Sequence, residues 1–562
     1  MSFLIAALLA VLTVVQNGDQ KVRREFRFDD PGPGIVKAEA VGDQHVVFRD
    51  ASGRPVKYYH TVTDSWCEAD RLVPKRHFSF SAWSVVIAYF GIIALMGWYF
   101  ARKEKSANSF FKGGGNIPWY VAGVSIFATM LSSVTFLSVP ALSYISDWRL
   151  FPNCIVGYAI ISPLAILFYM PVFRRMNLMS AYEYLERRFN LGTRLFASGI
   201  FVVFMVLRVA IVTLLPAIAV DAVTGLGVDV SIAICGAVTI LYCTFGGLEA
   251  VIWSDFVQGL VLLGGAAAIL AALVMGTDGG ASGVLSLAAA SGKDLCWDFR
   301  PELGELTFWV AFSLGITQCL FSYTSDQCVV QRYIAVKDEK AAARSILCNC
   351  VLGIAASALF FAIGTALWTH YKCHPEMLDP LMPKPDSILP HFMSMELPPV
   401  MAGLVIAAVF AATISTLSAN LSAASSALTT DFVARFRPIS DRSRVRLGQA
   451  FVVGCGVIGT AAAFVLAHVD LRSLCDLFQE MISTVTSGIA GVFFLGVFCR
   501  RVGGAAAVLG LLANYAVCFG LKFGGLAAAW GIHPFLIGGF GLVACIATGL
   551  AASIFFRRRC AA

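Results

Sequence analysis

Thirteen stretches of about 20 mostly apolar residues follow residue 80, each long enough to cross the hydrocarbon core of a bilayer as a helix. They lie near 81–101, 118–145, 149–173, 195–223, 228–245, 249–275, 306–323, 343–369, 399–430, 445–467, 472–499, 503–521 and 534–556. Within lipid, backbone polar groups must be satisfied inside the protein, and runs of this length meet that demand as α-helices. The spacing therefore predicts an all-α polytopic membrane protein with thirteen spans. Composition agrees, since 58% of the 562 residues are hydrophobic and 14% charged, against about 25% charged in soluble proteins. That excludes a soluble enzyme, and so many apolar residues exclude a disordered chain.

The net charge of +7 does not point to nucleic acid, because the basic residues sit in short loops. Alternate loops carry 23 of them: Arg102 to Lys112, Arg174 to Arg194, Arg332 to Arg344, Arg435 to Arg446, Arg500 with Arg501, and Arg557 to Arg559. The intervening loops hold Lys293, Arg300, Lys372, Lys384, Arg472 and Lys522. Lys and Arg favour the cytoplasmic side, so the C-terminus is expected in the cytoplasm and residue 80 outside, in a multi-pass protein of the cell membrane. Residues 1–17 read as a signal peptide or signal anchor. Residues 18–80 hold 11 basic residues and alternate short runs, His45–Phe48 and Val56–Val62, around Asp50–Gly53. This predicts a small β-rich extracytoplasmic segment with a hairpin. Sixteen cysteines fall mostly inside apolar runs, where cysteine acts as a small apolar residue.

Two features inside the spans stand out. Thr129, Ser132, Ser133, Thr135, Ser138 and Pro140 crowd the second span, and irregular backbone at membrane depth is tolerated only where it lines a cavity or is buried in protein. Close helix packing by small hydroxyl residues is the alternative. Arg208 lies mid-span with no acid within a helical turn, at a cost of about 2.5 to 3.5 kcal/mol unless compensated. A partner on another helix, such as Glu480, or an anionic substrate held in a two-bond fork would supply that compensation.

Four ordered segments resemble the sodium:solute symporter family over about residues 80–560. They are Phe110–Trp119 with its two-glycine and Pro-Trp pattern, Gly246–Asp255 with Trp253 before Asp255, Ser325–Tyr333 with Asp326-Gln327 and Gln331-Arg332, and Ala411–Ser418. The resemblance implies a LeuT-type core of two inverted five-helix units, spans 2–6 and 7–11, forming a transmembrane domain over 81–560. It also implies a sodium ion held by the carbonyls of Ala128, Leu131 and Ala412 and the hydroxyls of Ser415 and Thr416. A second sodium site in some members uses the equivalents of Asp255 and Ser418, but Ala419 replaces a further serine. A structural partner for Asp255 remains the alternative.

The stretch Ala181–Phe189 followed by Arg208–Val212 is similar to the sialic acid transporter branch of the family. The branch implies that Arg208 meets a sugar carboxylate and that Ser132, Ser133 and Thr135 line the substrate site. Residues Tyr58–Trp66 weakly resemble the end of a kelch blade, with a plain β-hairpin as the alternative. The expected activity is sodium-coupled import of an acidic sugar, sialic acid, by a protein working as a monomer in the bilayer, without catalysis and without nucleic acid. A neutral sugar, amino acid or monocarboxylate is the nearest other cargo, and a membrane solute sensor is the alternative of another class.

Overall fold

The computed structural model describes residues 37–556, apart from 42–44, 51, 53, 69–77, 104–106, 177, 380–384 and 470–473. Residues 1–17, expected to be a signal segment, lie outside the described residues, as do the last six.

Strands β1 (Lys37–Val41), β2 (His45–Arg49), β3 (Pro55–His60) and β4 (Ser65–Glu68) form an antiparallel sheet in chain order. The expected hairpin is the β2–β3 turn, where the Asp50 carboxylate accepts from the backbone N–H groups of Ser52 (2.8 Å) and Arg54 (2.9 Å). In β3–β4, Tyr59 donates to Asp64 at 2.6 Å and its ring lies 5.0 Å from that of Trp66. The kelch-like residues thus hold one hairpin together. Four strands amount to a single meander, which cannot close a propeller.

After the sheet the chain is helical: α1 (Phe80–Lys103), α2 (Trp119–Met130), α3 (Ser133–Ile145), α4 (Pro152–Arg175), α5 (Leu191–Thr224), α6 (Val228–Thr244) and α7 (Gly247–Gly276). There follow α8 (Phe308–Thr324), α9 (Gln327–Ile334), α10 (Glu339–Cys373), α11 (Pro399–Val433), α12 (Asp441–Ala467), α13 (Leu474–Phe498), α14 (Gly504–Phe523) and α15 (Ile537–Phe555). Among the described residues, ten helices are long and apolar enough to cross a membrane, or eleven if the bent pair α2–α3 is one span. The expected count of thirteen is therefore met only in part. Helices α6 and α8 have 17 residues each, and at 1.5 Å per residue such a helix reaches about 26 Å, short of a core about 30 Å thick. Helix α6 also runs into α7 through one kink, at Gly247 (φ 58°, ψ −173°), a backbone conformation almost confined to glycine.

Helix α11 is buried along nearly all its length and packs against α7, α5 and α1. Small residues permit the closeness: a Cβ on Gly265 of α7 would stand 2.5 Å from the Ala408 side chain of α11. Larger side chains in either place would drive the two helices apart. The fourteen cysteines described are all free.

The sheet caps one end of this bundle. Trp368 of α10 donates to the Val62 carbonyl (3.0 Å), Lys372 to that of Thr63 (3.3 Å), and the Tyr144 hydroxyl of α3 lies 3.4 Å from His60. Beside them Lys293, in the loop before α8, donates to the carbonyls of Tyr144 and Ser146, both at 2.7 Å, and so closes the C-terminal end of α3. Burial pushes the Lys293 ammonium down to about 8, against about 10.4 for a free lysine. Between those values the unfolded chain holds more protons, so this group's contribution to stability rises with pH through that window. Thermal unfolding of the wild type should therefore gain on K293M by about 1–2 kcal/mol from pH 7.5 to 9.5. A difference that stays flat or shrinks would contradict this.

Candidate functional site

Serines and threonines compete with helical hydrogen bonding and favour caps, and their cluster in the second span breaks it. The axes of α2 and α3 differ by 62°. Between them Leu131 is extended (φ −89°, ψ 101°) and Ser132 (φ −89°, ψ 166°) caps α3, its hydroxyl accepting from the Thr135 N–H at 3.4 Å. The extended residue turns its carbonyl away from the helical ladder, and the break leaves the last carbonyls of α2 without intrahelical donors.

Helix α11 faces this break. The Ser415 hydroxyl lies 2.9 Å from the Ala128 carbonyl and 3.2 Å from the Ala412 carbonyl one turn back, and the Thr416 hydroxyl lies 3.5 Å from the Thr129 carbonyl. Back-bonding within α11 and reaching across to α2 therefore occur together at Ser415. The result is a buried patch of neutral oxygens, the donor type that suits a hard monovalent cation at low desolvation cost.

A cavity of about 170 Å³ opens beside the break, lined by Thr129, Leu131 and Thr135 and by Arg208 of α5. Its other walls come from α4 (Tyr158), α8 (Gln318), α10 (Ser357) and α13 (Phe478, Gln479), and from Asp326. Arg208 is 7% exposed, and its Nη1 stands 3.7 Å from the Asp326 carboxylate. Its buried Nε has no partner among the described residues. The side chain of Glu480, the partner expected from sequence, lies outside the described residues. Asp326 itself sits at a second helix break: α8 ends at Thr324, and the Asp326 carboxylate caps α9 through the Cys328 N–H at 2.8 Å.

The other expected residues divide. Of the three hydroxyls expected at the substrate, Thr135 lines the cavity, whereas Ser132 and Ser133 are both buried behind its wall, Ser132 capping α3 and Ser133 donating to the Val212 carbonyl of α5 at 3.2 Å. Asp255 has found a structural partner. Its Oδ2 accepts from Arg332 at 2.7 Å, Ser125 at 2.7 Å and Thr129 at 3.5 Å, with Asp255 and Arg332 both fully buried. Its Oδ1 has no partner among the described residues. Ser418 turns its hydroxyl to the Ser415 carbonyl at 3.0 Å.

The Ala181–Phe189 stretch is structural as well. Tyr182 donates to the Ser325 carbonyl at 3.1 Å, and Glu186 bridges Arg194 (2.6 Å) and Arg435 (2.7 Å). Arg194 in turn pairs with the buried Asp431 at 2.6 Å, binding α5 to the end of α11. Asp326 and Asp431 are cavity and network residues that the sequence reading did not single out. Both lie just past the ends of expected spans, 306–323 and 399–430, so the signal that marked Asp255, an acid inside an apolar run, did not reach them.

The model of the sodium:solute symporter family matches residues 110–513. The sodium/sialic acid symporter SiaT of Proteus mirabilis is 35% identical over 80% of this chain and 90% of its own, and the sodium/sialic acid symporter NanT of Aliivibrio fischeri is 34% identical over 84% and 92%. Human sodium-coupled monocarboxylate transporter 1 is 30% identical over 79% and 74%. The solved outward-open, substrate-bound structure of a Na+-coupled sialic acid symporter superposes with a TM-score of 0.80 at 33% identity, covering 86% of this chain and all of that one. A nucleobase-cation-symport-1 family transporter shares the fold at a TM-score of 0.54 and 17% identity, over 79% and 94%. By the extent of that family match and of its relatives, this chain belongs to the sodium:solute symporter family.

Proposed function

We propose that this chain is a sodium-coupled symporter that imports sialic acid by alternating access. The observation that carries this reading is Arg208, a buried guanidinium facing a cavity at the broken helix, with its Nε unpartnered among the described residues. A planar guanidinium matches a carboxylate in a fork of two hydrogen bonds. The N-terminus of α3 opens at the same place, and helix N-termini favour anions. Thr135 contributes a hydroxyl to the bound sugar from the cavity wall, with Ser132 and Ser133 holding the break behind it. Sodium takes the oxygens of Ala128, Leu131, Ala412, Ser415 and Thr416, and in doing so ties the end of α2 to α11. Because Leu131 also lines the cavity, filling the ion site shapes the wall against which the sugar rests.

One sodium moves with each sialate. Arg332 already neutralises Asp255, so a second cation there would add net charge to a fully buried site, and Ala419 supplies no hydroxyl. A sialate anion with one sodium carries no net charge, so the step draws nothing from the membrane potential, which is worth about 2.3 kcal/mol per charge per 100 mV. A tenfold sodium gradient contributes about 1.4 kcal/mol.

The architecture that goes with this reading has thirteen spans, α6 and α8 included, with spans 2–6 and 7–11 as inverted repeats and 81–560 as the transport domain. Residues 18–80 then form an external segment after a cleaved or anchoring 1–17, the C-terminus is cytoplasmic, and the monomer is the working unit in the bilayer. The likeness to monocarboxylate transporters favours a second cargo, since Arg208 would hold any small carboxylate.

Proteoliposomes should accumulate labelled sialic acid only with an inward sodium gradient, and R208A should cut that uptake at least a hundredfold. Uptake of lactate in preference to sialic acid would move the substrate assignment to monocarboxylates. Normal uptake by R208A would assign the arginine a structural role. Replacing both hydroxyls, Ser415→Ala with Thr416→Ala, should abolish sodium dependence, and retained sodium-driven uptake would sink the ion site. A potassium diffusion potential should leave initial sialate uptake unchanged, whereas stimulation by an inside-negative potential would require a second sodium.

A further inference from the structure

Asp326 is unassigned by the family match, yet it shares the cavity with Arg208 and, among the described residues, forms its ion pair. Its carboxylate divides its work: Oδ1 caps α9 through the Cys328 N–H at 2.8 Å, while Oδ2 stands 3.7 Å from Nη1 of Arg208. The separation is too long for a hydrogen bond but close enough to neutralise the guanidinium in a buried setting. Both side chains are nearly inaccessible, at 8% and 4%.

We infer that Asp326 makes carboxylate binding at Arg208 depend on sodium. The inference rests on the sialic acid reading above and follows from counting charge in the cavity. Arg208 with Asp326 sums to zero, so an arriving carboxylate meets no net positive charge and brings the site to −1. A sodium ion at the adjoining break, whose Leu131 lines the same cavity, returns the sum to zero. Substrate without ion is disfavoured, and that is the condition for coupling the two without leak. Asp326 is thus a specificity-determining residue acting through Arg208, which it also orients: by facing Nη1 it leaves the Nε edge for the substrate.

The test is calorimetric binding of sialic acid to the purified full chain in sodium chloride and in choline chloride. Asn and Ser cap helices about as well as Asp, so D326N and D326S remove the charge and keep the cap, and either one serves if the other does not fold. The wild type should bind far more tightly in sodium. In D326N or D326S the ratio of affinities with and without sodium should shrink at least tenfold, because the uncompensated Arg208 now attracts the anion by itself. D326E keeps the charge although glutamate is a poor helix cap, and its ratio should stay closer to that of the wild type than to that of D326N. Sialic acid methyl ester carries no carboxylate charge, and its ratio should be the same in all four proteins.

An unchanged ratio for the acid in both uncharged variants overturns the inference. So does an equal change for acid and ester, which would place the effect of Asp326 on the ion directly. If the wild type does not bind sialic acid in sodium at all, the substrate reading fails, and the role given to Asp326 fails with it.

Discussion

The interruption of the second span at Leu131 and Ser132 is the feature on which the rest of the structure depends. A continuous helix would consume every carbonyl internally and present only side chains to its neighbours. The break releases the carbonyls at the end of α2 toward α11 and opens the N-terminus of α3 toward the cavity. One local failure of helical hydrogen bonding thereby creates an electronegative place for a cation and an electropositive place for an anion within a few residues of each other. The second break, at Ser325 and Asp326, faces the same cavity from the other side. Helix backbones that stop in the membrane are costly, and here both stops are capped by side chains, Ser132 in one and Asp326 in the other.

Charge is handled with equal economy. Among the described residues, three buried arginine–aspartate pairs sit within the helical bundle: Asp255 with Arg332, Asp326 with Arg208, and Asp431 with Arg194. Two of them are closed at 2.7 and 2.6 Å and further braced by serine hydroxyls. The third is open at 3.7 Å and lies on the cavity wall. Closed pairs lock helices together, since breaking one would strand an ion in a poorly polarisable interior. A loose pair costs less to rearrange, and it stands where a ligand would do the rearranging.

Much of this was legible in the sequence because apolar run length, hydroxyl clustering and lone mid-span charges each have a direct physical meaning. Run length located the long helices, although it passed over the short α9 and counted α6 and α8 as full spans, since their 17 residues are apolar but fall just short of the bilayer core. The Ser132–Thr135 cluster marked the break, and adjacent Ser415 and Thr416 marked the facing helix. What remained hidden were the contacts between distant segments. The isolation of Arg208 was visible, but the carboxylate that faces it, Asp326, lies three further helices along the chain. Asp255 was legible as a costly buried acid, whereas its closure by Arg332 was not, because Arg332 reads as one more basic residue of a loop. Ser133 looked equivalent to Ser132, and only the helix geometry turns one toward α5 and leaves the other at the break.

The central claim is that one break in one helix serves ion and carboxylate together. The measurement that tests it most directly is an experimental density map of the full chain with sodium and sialic acid bound. The account predicts a carboxylate forked on Arg208 and an ion enclosed by Ala128, Leu131, Ala412, Ser415 and Thr416. A map placing the carboxylate away from Arg208, or the ion away from the end of α2, would contradict it.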